Sequence, residues 1–533
     1  MATQRRARNQ KGVSLFVAAL SLLFIIPMSG LMIDAAVLYV VKARLQAAVD
    51  GAALAAARAL VLGQTTSAQA SSAQQNAINW FYANFPPGDW GTSGTVMNTA
   101  SVTVQDDPNV PQMRDVNITA STNAPTYFMK WFNYGFVNVV ATGNASRRDV
   151  VVMLVLDRSG SMSNAHACGT MISAAKLFTG QFAEGRDRIG LVSFSDNVYL
   201  HSAPSTTFQT TLGYTNTSGS GSGALDNISC AGDTMSATGI SVAYNELVKT
   251  GLPGALNIIL LETDGLPNTL TLNFWDSANS LPGVTSSTCQ DQSGRTVSSG
   301  GWGSSSAQRQ WTNGYSVSGT TLPAGSTVAL LTTDPGSSTG FFTPSDYQSG
   351  GTSDFATKYI SGTSTPGCGF PSAGSTTPRL SSLSWFPATD VFGNALAPAS
   401  NRFVNVTTDS KGHITNPSSG AWTNFHNAAL NATDNAAYNA RASTVLPPGI
   451  LFYTIGLGGT SSNPPDYVLM QRMANDPNGD NFNTPALYSA CAQEANCVTY
   501  PSQPQGMFIF SSDPSDLSAA FLRISSQILR LSK

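Results

Sequence analysis

Charge is scarce in this chain. Only 11% of its 533 residues are Asp, Glu, Lys or Arg, and the formal net charge is −3. No basic field exists to recruit phosphate backbones, which excludes a nucleic-acid binder. Histidine is scarcer still: His166, His201, His413 and His426 are scattered, and no Ser-His-Asp or Cys-His arrangement or P-loop is apparent. That shortage counts against a hydrolase. The six cysteines, Cys168, Cys230, Cys289, Cys368, Cys491 and Cys497, lack zinc-type spacing and all lie beyond the N-terminal apolar run. They suit disulfides in an oxidising compartment.

The chain does have a long apolar run at its start. Arg5, Arg6, Arg8 and Lys11 precede an apolar stretch from Val13 to Ile33, enough to cross a bilayer as one helix. The basic flank predicts a short cytoplasmic tail over 1–12, a span over 13–33 and everything after Asp34 outside that membrane. A cleaved secretory signal is the competing reading, but its apolar core normally covers only about 7 to 15 residues. Leu38, Val41, Leu45 and Val49 keep helical spacing, so the span is expected to continue as a long helix.

The most informative stretch is Val150-Val151-Val152-Met153-Leu154-Val155-Leu156 running into Asp157-Arg158-Ser159-Gly160-Ser161. An uninterrupted, β-branched run reads as a strand buried on both faces, and ligands in open α/β sheets bind beyond the carboxyl ends of such strands. Two further pieces follow in order. Ala231-Gly232-Asp233-Thr234 opens an amphipathic helix, and Leu256 to Glu262 is a second apolar strand ending on Thr263-Asp264-Gly265. Three loops would thus bring hard oxygen ligands to one edge.

These three pieces resemble the metal-ion-dependent adhesion site of von Willebrand factor type A domains. The resemblance implies a doubly wound, mainly parallel α/β sheet, with Asp157, Ser159 and Ser161 from the first loop, Thr234 from the second and Asp264 from the third as metal ligands. Thr238 is the other hydroxyl of the second loop. It further implies one divalent cation, Mg²⁺ first with Mn²⁺ or Ca²⁺ as substitutes, completed by an acidic side chain of a protein partner. The bland alternative has the serines capping the next helix and Asp264 in an ordinary Asp-Gly turn. Cys168 follows the first loop and Cys230 precedes the second, so a bridge between them would fasten two ligand loops. Cys491 with Cys497 and Cys289 with Cys368 complete one of 15 pairings.

Arg188–Phe194, 198–200, 449–458 and 506–510 read as further strands, and 174–182, 435–442 and the segment after Asp513 as helices. A Ser/Thr/Gly-rich insertion over about 267–432 interrupts the pattern. It is either a surface excursion or a small β-rich subdomain carrying Trp302, Trp311, Phe341, Phe342 and Trp385. The expected domains are therefore the stalk and linker over 34–147 and the A-type domain over 148–533.

Lys11-Gly12-Val13 and Val41-Lys42-Ala43-Arg44-Leu45-Gln46-Ala47-Ala48-Val49-Asp50-Gly51 through Ala57 resemble the N-terminal region of TadE/TadG-like proteins of Flp-type (tight-adherence) pilus assembly. The likeness extends into a small α+β linker where Val102-Thr103-Val104 and Val116-Asn117-Ile118-Thr119 read as paired strands. It implies a non-enzymatic, single-pass inner-membrane component with a periplasmic or extracellular domain, whose partners are pilus or envelope assembly proteins. A structural scaffold with a stabilising metal, and a metal-dependent hydrolase using activated water, are the alternatives.

Overall fold

The computed structural model describes residues 11–62, 65–110, 112–195, 198–213, 223–272, 388–390, 392–410, 412–415, 421–458, 465–477, 480–481 and 499–532, with short strands at 289–290, 296–297, 316–317, 320–321, 327–330, 341–342 and 385–386. The chain divides into two compact units, Met1–Arg147 and Arg148–Ser532.

In the first unit a single helix, α1 (Lys11–Ala59), runs unbroken through Pro27. Its side chains from Phe16 to Ile33 are mostly exposed and apolar, and the helix is long and apolar enough to cross a membrane. From Val41 onward the same helix becomes core: Val41, Leu45, Val49, Ala52 and Ala56 recur at helical spacing and are fully buried. Against them lies α2 (Thr66–Asn84), capped by the Thr65 hydroxyl accepting from the Ala68 amide at 3.2 Å. Alanines on both helices, among them Ala52, Ala56, Ala73 and Ala77, belong to one core.

An antiparallel sheet completes this unit. β1 (Ser93–Val96) and β2 (Val102–Asp106) pair with the long β3 (Met113–Pro125), as does β4 (Phe136–Arg148). The expected pairing of β2 with β3 is present, with Val102 opposite Ile118 and Val104 opposite Val116. Alternate residues of β3, including Val116, Ile118 and Ala120, face inward as period-2 patterning requires. Gly143 on β4 marks the close approach of helix to sheet, since a Cβ there would stand 2.9 Å from the Val49 side chain.

The second unit is built on a seven-stranded sheet. Its strands are β5 (Val150–Asp157), β6 (Arg188–Phe194), β7 (Val198–Ser205), β8 (Leu256–Thr263), β9 (Ile450–Leu457), β10 (Asp480–Asn481) and β11 (Phe508–Ser511), in the order β10-β11-β9-β8-β5-β6-β7. All pairings are parallel except β6 with β7. Every residue of β5 and of β8 is buried, as expected of mostly apolar strands covered on both faces. Val151, Met153 and Val155 face one core; Val150, Val152, Leu154 and Leu156 face the other.

Helices cover both faces. α6 (Ser236–Thr250), α7 (Ala421–Ala442) and α8 (Tyr467–Ala474) pack on the first core; α4 (Cys168–Thr179) and α9 (Leu517–Leu531) pack on the second. Two minor helices, α3 (Gly160–Asn164) and α5 (Phe208–Leu212), lie in the connections. Leu517, Phe521, Ile524 and Ile528 form the buried face of α9 as their spacing predicts. Two helix boundaries differ from expectation. α4 starts at Cys168 rather than Ala174, and α7 starts at Ala421 rather than Asn435, so the last part of the segment read as insertion is helical.

Within the insertion, Thr269–Leu272 pairs antiparallel with Thr327–Leu330, which also pairs with Phe341–Phe342. Cys289 lies in a two-residue strand, and Trp385 in another. Trp302, Trp311, Cys368, Cys491 and Cys497 lie outside the described residues, and so do the two bridges suggested for Cys289, Cys368, Cys491 and Cys497.

Candidate metal centre at the carboxyl edge of the sheet

β5 and β8 end level with each other: Leu156 stands opposite Glu262, so Asp157 closes one strand beside Thr263, the last residue of the next. Asp157 is fully buried. Its Oδ1 accepts the Ser159 amide at 2.7 Å, the local turn that redirects the chain from β5 into α3. Its Oδ2 accepts the Thr263 hydroxyl at 2.5 Å.

Ser159 occupies the N-cap position of α3, yet its hydroxyl makes no capping bond. The hydroxyl instead lies 2.8 Å from Ser161 Oγ, which in turn donates to Asp264 Oδ1 at 2.6 Å. Asp264 is itself fully buried, unlike the exposed side chain of an ordinary Asp-Gly turn. Oxygens of the first and third loops therefore form one continuous chain.

The second loop is brought to the same place by backbone bonds. The Gly160 amide donates to Gly232 O at 2.8 Å, and the Ala231 amide to Arg158 O at 2.7 Å. Gly232 takes φ +90°, a backbone conformation that favours glycine. Asn268 clasps Thr234 from both sides: its Oδ1 accepts the Thr234 amide at 2.8 Å, and its own amide donates to Thr234 O at 3.0 Å. A Cβ on Gly265 would lie 3.5 Å from Thr234 Oγ1 and 3.6 Å from Ser161 Oγ, so both hydroxyls face that glycine. Thr238 sits a turn later, inside α6 and fully buried. Cys168 and Cys230 form a disulfide, Cα atoms 6.1 Å apart, tying the start of α4 to the second loop.

The electrostatics are those of crowded acids. Burial pushes the Asp157 carboxyl up to about 7, reinforced by the charge of Asp264, while hydrogen bonds from Thr263 and Ser159 oppose the rise. Glu262 is driven well above the usual carboxylate range by burial first and by Asp157 and Asp264 next. Among the described residues neither Glu262 oxygen has a close hydrogen-bond partner, and the Asp157 backbone opposes the rise. Among the described residues no three His, Cys, Asp or Glu side chains converge on a point suited to a metal. A cation here would take two carboxylates and three neutral hydroxyls, an all-oxygen set that fits a small hard ion such as Mg²⁺ and leaves coordination positions open.

Glu262, Thr263 and Asn268 were not visible as site residues in the sequence: the first two lie inside an apolar run and the third after a turn. The histidines do not assemble a proton-transfer site. His166 is exposed at the end of α3 with φ 54°. His201 Nε2 lies 2.6 Å from Ser193 Oγ, and burial together with Arg158 lowers its pKa to about 4. His413 pairs with Asp409 at 3.0 Å in a separate turn.

Sheet order, buried strands and oxygen-lined edge together define a von Willebrand factor type A domain, and residues 152–266 match the family model of that name. Residues 12–59 match the model described as putative Flp pilus-assembly TadE/G-like, so the chain joins a TadE/G-like N-terminal region to a von Willebrand factor type A domain. Among solved structures, the pilus adhesin SpaC from Lactobacillus rhamnosus GG aligns at 13% identity over 81% of this chain and 34% of that one, with a TM-score of 0.30. This chain spans about a third of that adhesin's length. The vWF domain of the type V pili tip protein Mfa5 from Porphyromonas gingivalis aligns at 16% identity over 73% of this chain and 98% of that one, TM-score 0.31. The PilB minor pilin from Streptococcus sanguinis aligns at 11% identity over 81% and 79% of the two chains, TM-score 0.31. Comparison with curated proteins gives no match.

Proposed function

We propose that this chain is a membrane-anchored, non-enzymatic component of Flp/Tad-type pilus assembly or adhesion that grips a protein partner through a bound divalent cation. Asp157, Ser159, Ser161, Thr234 and Asp264 hold the ion, Mg²⁺ in the first place, and an acidic side chain of the partner fills an open position. The observation that carries this reading is the Ser159 hydroxyl, which forgoes the cap it is placed to make and joins the chain of oxygens ending on Asp264. Neutral hydroxyls leave the ion with unspent positive charge, which favours an incoming carboxylate.

The exposed apolar stretch of α1, inside the segment that matches the TadE/G-like model, supports the anchor. Residues 13–33 cross the inner membrane, Arg5, Arg6, Arg8 and Lys11 keep the N-terminus in the cytoplasm, and the A-type domain works in the periplasm or beyond.

Full-length protein in detergent, titrated with Mg²⁺ and Mn²⁺ by calorimetry and used to capture partners from an envelope extract, tests the proposal. Cation uptake and partner capture should both vanish with chelator and in Asp157→Ala, while the far-UV circular dichroism is unchanged. Absence of cation uptake by the wild type overturns the metal site. A cation that raises thermal stability without affecting capture makes the metal structural and removes the adhesive role.

A further inference from the structure

The first unit carries an unusual concentration of exposed aromatic surface. Within the turn 126–136, Tyr127, Trp131, Phe132, Tyr134 and Phe136 are each more than half exposed, Trp131 at 88%. The turn is nonetheless well ordered internally. Thr126 bonds through its amide to Gly135 O at 3.1 Å, a short helix spans Met129–Phe132, and Asn133 closes it in the left-handed conformation. Phe128 and Phe132 rings pack 5.6 Å apart. Soluble surfaces rarely gather apolar side chains so densely without something to cover them.

What fixes this turn is α1. Asp34, 2% exposed, accepts the amides of Tyr127 at 2.6 Å, Phe128 at 3.1 Å and Met129 at 2.7 Å. Asp34 is the first residue after the apolar run. One helical turn earlier, a Cβ on Gly30 would stand 2.2 Å from the Phe128 ring. The ring therefore lies against α1 at a level about 6 Å closer to the bilayer centre than Asp34. The aromatic turn is thus clamped sideways onto the helix where its exposed apolar segment ends.

We infer that the turn 126–136 seats in the lipid headgroup layer on the outer side of the membrane, a second, laterally placed membrane contact of the first unit. The inference rests on the reading of α1 as a membrane span. The occupant follows from continuity: the surface that covers the turn must begin at the level of Gly30 and Asp34, where the span gives way to the ectodomain. Tyr and Trp, with an apolar body and one polar atom, are the side chains that such an interface accepts best. Lys130, exposed in the same turn, can extend its ammonium group toward headgroup phosphates.

The test uses full-length protein labelled with 5-fluorotryptophan in nanodiscs of phosphatidylethanolamine and phosphatidylglycerol. Trp131→Phe identifies the Trp131 resonance, and Phe24→Trp supplies a reference within the span. Lipid spin-labelled near the headgroup should remove about half or more of the Trp131 signal and exceed the effect of lipid labelled at the chain end, with the order reversed for the position-24 reference. A Trp131 signal broadened by a water-soluble gadolinium chelate but untouched by headgroup-labelled lipid, or protected from lipid and water probes alike by protein, overturns the inference while the span stands. Failure of the position-24 signal to respond to either lipid removes the anchor and this inference with it.

Discussion

Ser161 donates its hydroxyl hydrogen to Asp264 across 2.6 Å, although 103 residues separate them in the chain. The bond closes the first loop onto the third and draws a buried carboxylate into contact with the helix that follows β5. A cation binding at this edge, as proposed, would have to take over the oxygens that now satisfy one another. Because the loops are already joined by these bonds, such binding would need little reorganisation.

Adding Mg²⁺ should therefore stabilise the second unit. At a free concentration about a hundredfold above the dissociation constant, linkage gives about 2.7 kcal/mol, or several degrees in melting temperature. Asp157→Asn should abolish that response without lowering the metal-free melting temperature, because it removes a buried charge beside Asp264 and Glu262. Scanning fluorimetry with and without Mg²⁺ reads both effects, and an unchanged Mg²⁺ response in the variant would remove Asp157 from the ligand set.

The Cys168–Cys230 bridge closes a loop of 62 residues. On chain-entropy grounds its loss costs about 4 kcal/mol at most. The double variant Cys168→Ser/Cys230→Ser should unfold at lower denaturant and bind Mg²⁺ more weakly than the wild type, since Thr234 lies four residues beyond the bridge. Equal cation affinity in the two proteins would show that the backbone bonds at Gly160 and Ala231 suffice to position the second loop.

Asp34→Ala would leave the amides of Tyr127, Phe128 and Met129 without their acceptor. Hydrogen bonds to a charged group contribute about 1.5–3 kcal/mol each, and they share one carboxylate, so a local loss of about 3 kcal/mol is expected. Hydrogen exchange should accelerate across 127–132 and stay slow at Ile118 and Ala120 in β3. Exchange across 127–132 that is as slow in Asp34→Ala as in the wild type would argue against the clamp.

A pH-dependent contribution is expected from Asp390, a buried carboxylate that opens the turn between Thr389 and Ala395. Burial raises it to about 6 against hydrogen bonds from the amides of Phe392 and Asn394 and from the Asn394 side chain. The folded state thus binds a proton that the unfolded state releases near pH 4. Stability from this group is fully present below about 4 and falls as pH rises through 6, by up to about 3 kcal/mol. The difference in melting temperature between wild type and Asp390→Asn, followed from pH 4 to 7, should change over that window; a constant difference refutes the shift.

Much of the second unit was legible because β5, β6, β8 and β9 are mostly apolar, without the polar alternation of a half-exposed strand, as a doubly covered strand requires. Asp157, Ser159, Ser161 and Asp264 stood out as candidate oxygens because they end or directly follow such strands, and Thr234 because it lies in the small-residue loop that opens α6. The first half of α7 was not. It holds Asn424, Asn427 and Asn431, poor helix formers that are retained because their amides bond the backbone of 396–415, as when Asn431 Oδ1 accepts the Val404 amide at 3.0 Å. Tertiary bonds there override local preference. The Asp34 clamp was equally hidden, since its partners lie some 93 residues away and a lone aspartate after an apolar run looks like a simple boundary marker.

α1 is 49 residues long, about 70 Å, and is continuous from the apolar segment into the alanine-faced core of the first unit. The apolar segment and the core of the first unit therefore have no hinge between them: tension passes straight along one rod, and a protease cutting between Ile33 and Val41 would sever that rod while sparing the buried residues from Val41 onward.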